Sequence, residues 1–140
     1  MNDNAMQPPP GATQLLARLA VCCCERWVNT DVSLVQGARY YFRATGTWHD
    51  ASIRCDANGY DRPYLNWVKA TMRCNVDGAR WFTLIGAIDH AEASFFPIGD
   101  GSRWAAGWRA PASGRLEVFA NDAALMYWNN RGAIMLEIWQ

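Results

Sequence analysis

Short runs of β-branched and aromatic residues, each bounded by turn-forming residues, recur along most of this chain and constrain its fold more than any other feature. Such runs are typical of β-strands joined by turns. They occupy residues 32–35, 39–45, 81–88, 94–98, 103–108, 115–120 and 132–139. No long amphipathic helical pattern accompanies them. The sequence therefore predicts an all-β protein, an antiparallel β-sandwich of the jelly-roll type.

Three segments carry more detailed predictions. The apolar run at 15–24 is compatible with a short helix or a strand, and we favour a first strand. Gln36 and Gly37, between two β-rich runs, predict a β-hairpin. Residues 115–119 alternate polar with apolar side chains, which predicts a strand with one face in the core and the other in water.

The length of the chain, 140 residues, suits one domain with its own core and is too short for two ordinary ones. Residues 1–13 include three consecutive prolines, Pro8 to Pro10, which favour an extended segment over a packed element. We expect a flexible, Pro-rich N-terminal segment at 1–13 and a single sandwich domain at 14–140.

The charge pattern argues against two classes of partner. Thirteen basic residues balance thirteen acidic ones without a basic cluster, so nucleic acid is not an expected partner. The apolar run at 15–24 contains Arg18, is shorter than the ~20 residues of a membrane span and has no basic leader before it. We expect no membrane insertion and no signal peptide. The protein would be cytoplasmic as synthesised, with release or surface association left open.

Five cysteines, an odd number without metal-type spacing, do not indicate a complete disulfide framework or a zinc site. At least one thiol must be free or pair between chains. Cys55 and Cys74 could form one disulfide, or both could be small buried side chains. A reduced cytoplasmic protein fits this pattern best.

Residues 50–75 lack a strand pattern and predict a long surface excursion. Long loops of compact domains are more often binding loops than passive connections.

A second candidate functional segment, residues 121–132, concentrates oxygen donors between two predicted strands. Asp122, Asn129 and Asn130 offer a carboxylate and two side-chain amides within a short stretch. Calcium takes six to eight oxygen ligands of these types, so the segment suits a calcium loop. The alternative is that these residues only shape turns, because Asn and Asp tolerate left-handed backbone and bond their own main chain.

The same segment, with the strand before it, resembles the PA-IL-like galactose-specific lectins of bacteria, within the galactose-binding-like β-sandwich domains. The matching residues keep the order of that family's Trp-x-Ala-Pro, Asn-Asp and Tyr-x-Asn-Asn-x-Gly pattern: Trp108, Ala110, Pro111, Gly114, Leu116, Phe119, Asn121, Asp122, Tyr127, Asn129, Asn130 and Gly132. Weaker similarity runs along most of the chain. The resemblance implies a non-catalytic, calcium-dependent carbohydrate-binding protein, a homo-oligomer that binds galactose-type glycans.

The resemblance also implies a ligand set for Ca2+. The side chains of Asp122, Asn129 and Asn130 would bind the ion, together with the backbone carbonyls of Met126 and Asp50. Met126 stands where the family has Thr, which a carbonyl ligand tolerates.

The sugar contacts implied by the resemblance are Asp122 and Asn129, which would bind vicinal hydroxyls of galactose or a related hexose. The family's His-Pro-x-x-Gln sugar loop is not reproduced. Its counterpart offers side chains suited to stacking and hydrogen bonding with a sugar: Arg62, Tyr64, Asn66 and Trp67. The alternative is that Tyr64 and Trp67 pack under their own loop. Trp128 replaces a Gly of the family and would either cover the ligand position or form a stacking platform. The alternative function is a protein-interaction module that keeps this fold without binding sugar.

An enzyme is not expected. His49 and His90 are the only histidines, and no Gly-x-Ser-x-Gly nucleophile motif is present.

Overall fold

The computed structural model describes residues 7–62 and 68–140. Within them, eleven strands and short 3-10 turns form the chain, without an α-helix. The strands are β1 (Leu15–Cys22), β2 (Val28–Leu34), β3 (Arg39–Thr45), β4 (Trp48–Asp50), β5 (Ile53–Cys55), β6 (Leu84–Ile88), β7 (Ala91–Pro97), β8 (Trp108–Arg109), β9 (Gly114–Ala120), β10 (Asn130–Arg131) and β11 (Ala133–Trp139). Among the described residues, no helix is long and apolar enough to cross a bilayer.

Two four-stranded antiparallel sheets form the body of the protein, in the orders β1-β11-β3-β8 and β2-β9-β6-β7. The predicted all-β, antiparallel sandwich is confirmed. Its core lies between the sheets, where the Phe96 ring stacks on Trp108 at 4.0 Å between centroids and Leu136 and Leu116 are fully buried. The first strand is confirmed at β1, and the division of the chain at residue 13 stays a prediction.

A third, smaller sheet in the order β10-β4-β5 lies at the candidate site. The prediction that 50–75 lacks strands is wrong at its start, because β5 pairs with β4 through a turn at Ala51, which has a φ of 53°. A three-residue strand is too short to give a periodic pattern. The hairpin fixes the position of Asp50 at the end of β4.

The predicted hairpin around Gln36 and Gly37 is wrong. β2 pairs with β9 whereas β3 pairs with β11 and β8, so the turn carries the chain from one sheet to the other. The Gly37 amide donates to the Ala110 carbonyl at 2.8 Å. Turn residues favour a change of direction in either case, and only the distant strands decide which sheet each segment joins.

The strand predicted at 103–108 is also wrong over most of its length. A 3-10 turn at Ser102–Trp104 precedes the two-residue β8. Gly101, with a φ of 95°, brings this turn so close to β3 that a Cβ would lie 1.9 Å from the Phe42 carbonyl oxygen. The Trp104 indole donates to the Pro97 carbonyl at 2.8 Å, so this aromatic residue stabilises the turn and is not part of a strand.

Strand β9 lies where it was predicted, but the expected wet face is absent beyond Arg115. Glu117 and Phe119 are buried. His90 Nε2 lies 2.6 Å from Glu117 Oε2, and Trp27 and Phe95 pack on the Phe119 ring at 5.3 and 5.1 Å between centroids. The alternation of polar and apolar residues distinguishes the two faces of a strand, but it does not show whether distant segments pack over the polar face.

The cysteines adopt a pairing that was not anticipated. Cys22 and Cys24 form a disulfide at the end of β1, whereas Cys23, Cys55 and Cys74 are free thiols. The alternative bridge between Cys55 and Cys74 is therefore not formed. Burial raises the pKa of the Cys55 thiol to about 12, which keeps it protonated and unreactive at neutral pH.

Candidate cation and ligand site

A cavity of about 460 Å3 lies where the small sheet meets the segment that follows β9. Five of the residues predicted as metal or sugar contacts line it: Asp50, Arg62, Asp122, Met126 and Asn129. They come from three separate parts of the sequence. The fold therefore brings the start of the predicted binding loop and the predicted calcium segment to one place.

Asn121 anchors the segment that carries Asp122. It is fully buried, its Nδ2 donates to the Cys74 and Arg80 carbonyls at 2.9 and 3.0 Å, and its Oδ1 accepts from the Cys74 amide at 3.0 Å. The Arg73 amide donates to the Asp122 carbonyl at 3.1 Å. These bonds hold the backbone in place directly after β9, so that the Asp122 carboxylate faces the cavity.

Asp122 itself is only 3% exposed, and its partners are neutral. Its Oδ1 accepts from the Ala123 amide at 2.7 Å and its Oδ2 accepts from Asn130 Nδ2 at 3.0 Å. Burial raises the pKa of Asp122 to about 6, and the nearby charge of Asp50 adds to the rise. The carboxylate lacks a strong counter-charge.

Two amide oxygens beside Asp122 have no hydrogen-bond partner within residues 7–62 and 68–140. Asn130, which is 4% exposed, uses its Nδ2 on Asp122 and on the Cys23 carbonyl, each at 3.0 Å, and this orientation leaves its Oδ1 unsatisfied. The Oδ1 of Asn129 is likewise buried and unsatisfied. Buried acceptors normally have partners, so an unsatisfied pair at one place indicates a missing donor or cation.

Asp50 brings a second carboxylate to the cavity. The Tyr60 hydroxyl donates to its Oδ2, and Arg62 Nη1 lies 3.9 Å from the same oxygen. Burial, followed by the bond to Asp50, raises the pKa of Tyr60, so the hydroxyl stays protonated and remains a donor. The resemblance implied only the Asp50 carbonyl as a ligand, and the contribution of its side chain was missed.

The donor set consists of carboxylates and amides. Among residues 7–62 and 68–140, no three His, Cys, Asp or Glu side chains gather as a metal-binding group. The site has two such carboxylates. Asn129, Ser52 and Thr71 add an amide and two hydroxyl oxygens to the cavity wall, and Asn130 adds an amide directly beside Asp122. This all-oxygen set suits a hard cation such as Ca2+ and does not suit zinc or copper, which favour sulfur and nitrogen.

Other predicted contacts lie away from the cavity or outside the described residues. Trp128 is 78% exposed and does not line the cavity, although its neighbours Met126 and Asn129 do. Leu125, in the same segment of the sequence, is 85% exposed. Tyr64, Asn66 and Trp67 lie outside the described residues.

The cavity wall includes apolar residues that sequence reasoning did not select. Ile53, Val68 and Trp81 contribute to it. Trp81 was assigned to a predicted strand, which in fact begins at Leu84. The sequence signal for Trp81 is its position directly before a strand. That position is as typical of a core residue as of a cavity wall, so it did not identify Trp81 as part of the site.

The fold is similar to that of a solved structure described as "EclA N-terminal domain; PllA-like lectin". The TM-score is 0.67 at 19% sequence identity, and the match covers 90% of this chain and 97% of that one. At this identity, the similarity establishes the shared β-sandwich fold alone. No protein-family model matches the sequence, and no curated protein matches it either.

Proposed function

We propose that this protein is a non-catalytic lectin that binds a carbohydrate through a calcium ion in the cavity beside Asp122. The observation that carries the proposal is the pair of unsatisfied amide oxygens of Asn129 and Asn130 next to a buried carboxylate. The similar fold of a protein described as a lectin supports it. The sequence resemblance to the PA-IL-like lectins favours galactose or a related hexose as the ligand.

The chemistry of the site fits calcium. Asp122, Asn129 and Asn130 would supply side-chain oxygens, the Met126 and Asp50 carbonyls would supply backbone oxygens, and the Asp50 carboxylate adds negative charge. Bound there, the ion would offer its remaining coordination positions to vicinal hydroxyls of a sugar. Ile53 and Trp81 give the cavity an apolar wall suited to the C–H face of a pyranose.

Thermal melts with calcium, with a chelator and with a panel of monosaccharides test the proposal. A ligand that binds only the folded state stabilises it, by about 2.7 kcal/mol at a concentration of one hundred times Kd. We expect calcium to raise the melting temperature and galactose to raise it further only when calcium is present. Asp122→Ala should abolish both responses.

Asp77→Ala is a matched control, because Asp77 is exposed and does not line the cavity. This variant should keep both responses. If neither calcium nor any sugar shifts the melt of the wild-type protein, the lectin proposal is wrong.

We also propose that the protein assembles into a homo-oligomer. A single site for one sugar gives modest affinity, and several sites on one assembly raise the apparent affinity without new contacts. Light scattering coupled to size-exclusion chromatography would give the mass directly. A monomer at micromolar concentration would contradict this part of the proposal.

A second candidate function, a protein-interaction module, is favoured by three exposed apolar residues in the segment that follows β9. Leu125, Met126 and Trp128 are 85%, 41% and 78% exposed, although exposed apolar residues usually occur singly. This function predicts that Leu125→Ser and Trp128→Ser abolish binding to a partner protein while calcium and sugars leave the melt of the wild type unchanged. A sugar-dependent shift would favour the lectin instead.

A further inference from the structure

We propose that Arg62 is a tethered counter-cation of the site, which compensates one of the two carboxylate charges when no metal is bound and competes with the metal for them. The inference rests on the proposed function, because it concerns the same cavity. It assigns to Arg62 a role different from the sugar contact that its sequence position implied.

The position of the Arg62 side chain is the first support. Its Nη1 lies 3.9 Å from Asp50 Oδ2, and the side chain is 27% exposed, so the guanidinium is partly shielded from water inside the cavity wall. The guanidinium also lies over the Tyr60 ring, 5.9 Å from its centroid. Tyr60 donates to the same Asp50 oxygen. The three side chains form one cluster around that oxygen.

The charge balance of the cavity is the second support. Asp50, Asp122 and Arg62 line the same cavity, and Arg62 Nη1 lies 3.9 Å from Asp50 Oδ2, so one positive and two negative side chains share this space. One guanidinium compensates one of the two negative charges. A divalent cation would compensate both, but it would then lie close to the positive charge of Arg62. Two cations in so small and buried a site repel each other strongly.

Competition between the two cations follows from this geometry. When a divalent ion binds, the Arg62 side chain must move towards solvent, which its partial exposure allows. Asp50 keeps its bond to Tyr60 in either case. The arrangement favours divalent over monovalent ions, because a monovalent ion supplies no more charge than Arg62 already does.

Calcium titration calorimetry on three proteins tests the inference: the wild type, Arg62→Gln and the control Arg54→Gln. Arg54 is an exposed residue of β5 whose Nε donates to Thr47 Oγ1 at 3.1 Å, and it does not line the cavity. Both variants remove one positive charge, so the control accounts for the change in net charge. We expect Arg62→Gln to bind calcium about tenfold more tightly than the wild type, or about 1.4 kcal/mol, and Arg54→Gln to stay within about twofold.

Thermal melts give a second readout that an ordinary sugar contact or a structural role would not produce. In chelator, Arg62→Gln should melt below the wild type, because the carboxylates lose their counter-charge. In saturating calcium the difference should vanish or reverse. Arg62→Lys keeps a positive charge and should restore both the wild-type affinity for calcium and the wild-type melting temperature in chelator.

The outcomes separate this inference from the proposed function. Calcium binding by Arg62→Gln that equals or falls below that of Arg54→Gln overturns the competition and leaves the calcium site intact. If Arg62→Gln binds calcium and the other two proteins do not, the competition is supported in its strongest form, with Arg62 excluding the metal from the wild type. No calcium binding by any of the three proteins overturns the inference together with the calcium site on which it depends.

Discussion

Glu137 and Asp122 are carboxylates of the C-terminal part of the chain, 2% and 3% exposed, in very different surroundings. Glu137 Oε1 accepts from Arg43 Nη1 at 3.0 Å and from the Trp139 indole at 2.9 Å. Asp122 accepts from two amides and lies beside unsatisfied oxygens. The protein provides the counter-charge for Glu137 within its sheet, whereas the surroundings of Asp122 suit an ion from solution. Substitutions at the two positions should therefore have different effects.

The largest expected effect is that of Glu137→Gln. The change removes the charge that compensates Arg43 on the neighbouring strand, and breaking a buried ion pair by removing one partner is strongly destabilising. Arg43 is 28% exposed and can recover some hydration, so we expect a loss of about 3 kcal/mol in the free energy of unfolding. Urea denaturation measures it. The calcium response should remain, and its loss would show that the two carboxylates do not act independently.

The pH dependence of stability should reveal the raised pKa of Asp122. The pKa of Asp122 is about 6 in the folded protein and has an ordinary value of 3.8. The folded state therefore holds the proton more tightly than the unfolded one, and unfolding releases protons between these values. The contribution of Asp122 to stability without calcium should be greatest below about pH 4 and fall as the pH rises to about 6, by up to about 3 kcal/mol.

Urea denaturation between pH 4 and pH 7 in chelator checks this prediction. Burial also raises the pKa of Glu117, so only the difference between the wild type and Asp122→Asn isolates the contribution of Asp122. Saturating calcium should reduce the fall, because the ion compensates the ionised carboxylate. A wild-type profile that matches that of Asp122→Asn would show that Asp122 titrates normally.

Asp122→Asn should be mildly stabilising in chelator at pH 7, in contrast to Glu137→Gln. It removes a buried negative charge that has no strong partner and keeps the shape of the side chain. A gain of about 1 kcal/mol is expected after subtraction of two costs: the bond from Ala123 becomes weaker, and the bond from Asn130 is lost because Oδ2 is replaced by an amide nitrogen. Urea denaturation in chelator and in calcium measures the change in the free energy of unfolding under each condition. A loss of stability in chelator would indicate that the carboxylate is structural, as at Glu137.

The two carboxylates also mark what a sequence can and cannot predict here. Turn residues and β-rich runs were sufficient for the sandwich, because strand propensity and punctuation are local properties. They did not decide the partners of β2 and β3 or the burial of Glu117, which depend on distant segments. The spacing of Asp122, Asn129 and Asn130 indicated an oxygen-rich loop. The role of the Asp50 side chain and its contact with Arg62 were not visible, because they require β4 and β5 to pair.

The smallest expected effect on stability is that of Trp128→Ala, which removes the largest side chain of the predicted calcium segment. Because Trp128 is 78% exposed and lies outside the cavity wall, the free energy of unfolding should change by less than about 0.5 kcal/mol. Calcium affinity should also be unchanged, since the Trp128 side chain supplies none of the proposed ligand oxygens, although it lies next to Asn129 in the sequence. Sugar affinity discriminates between the two roles considered for this residue: a stacking platform loses affinity on truncation, and a cover over the ligand position gains it. Calorimetry of galactose binding in saturating calcium, for the wild type and this variant, measures the sign.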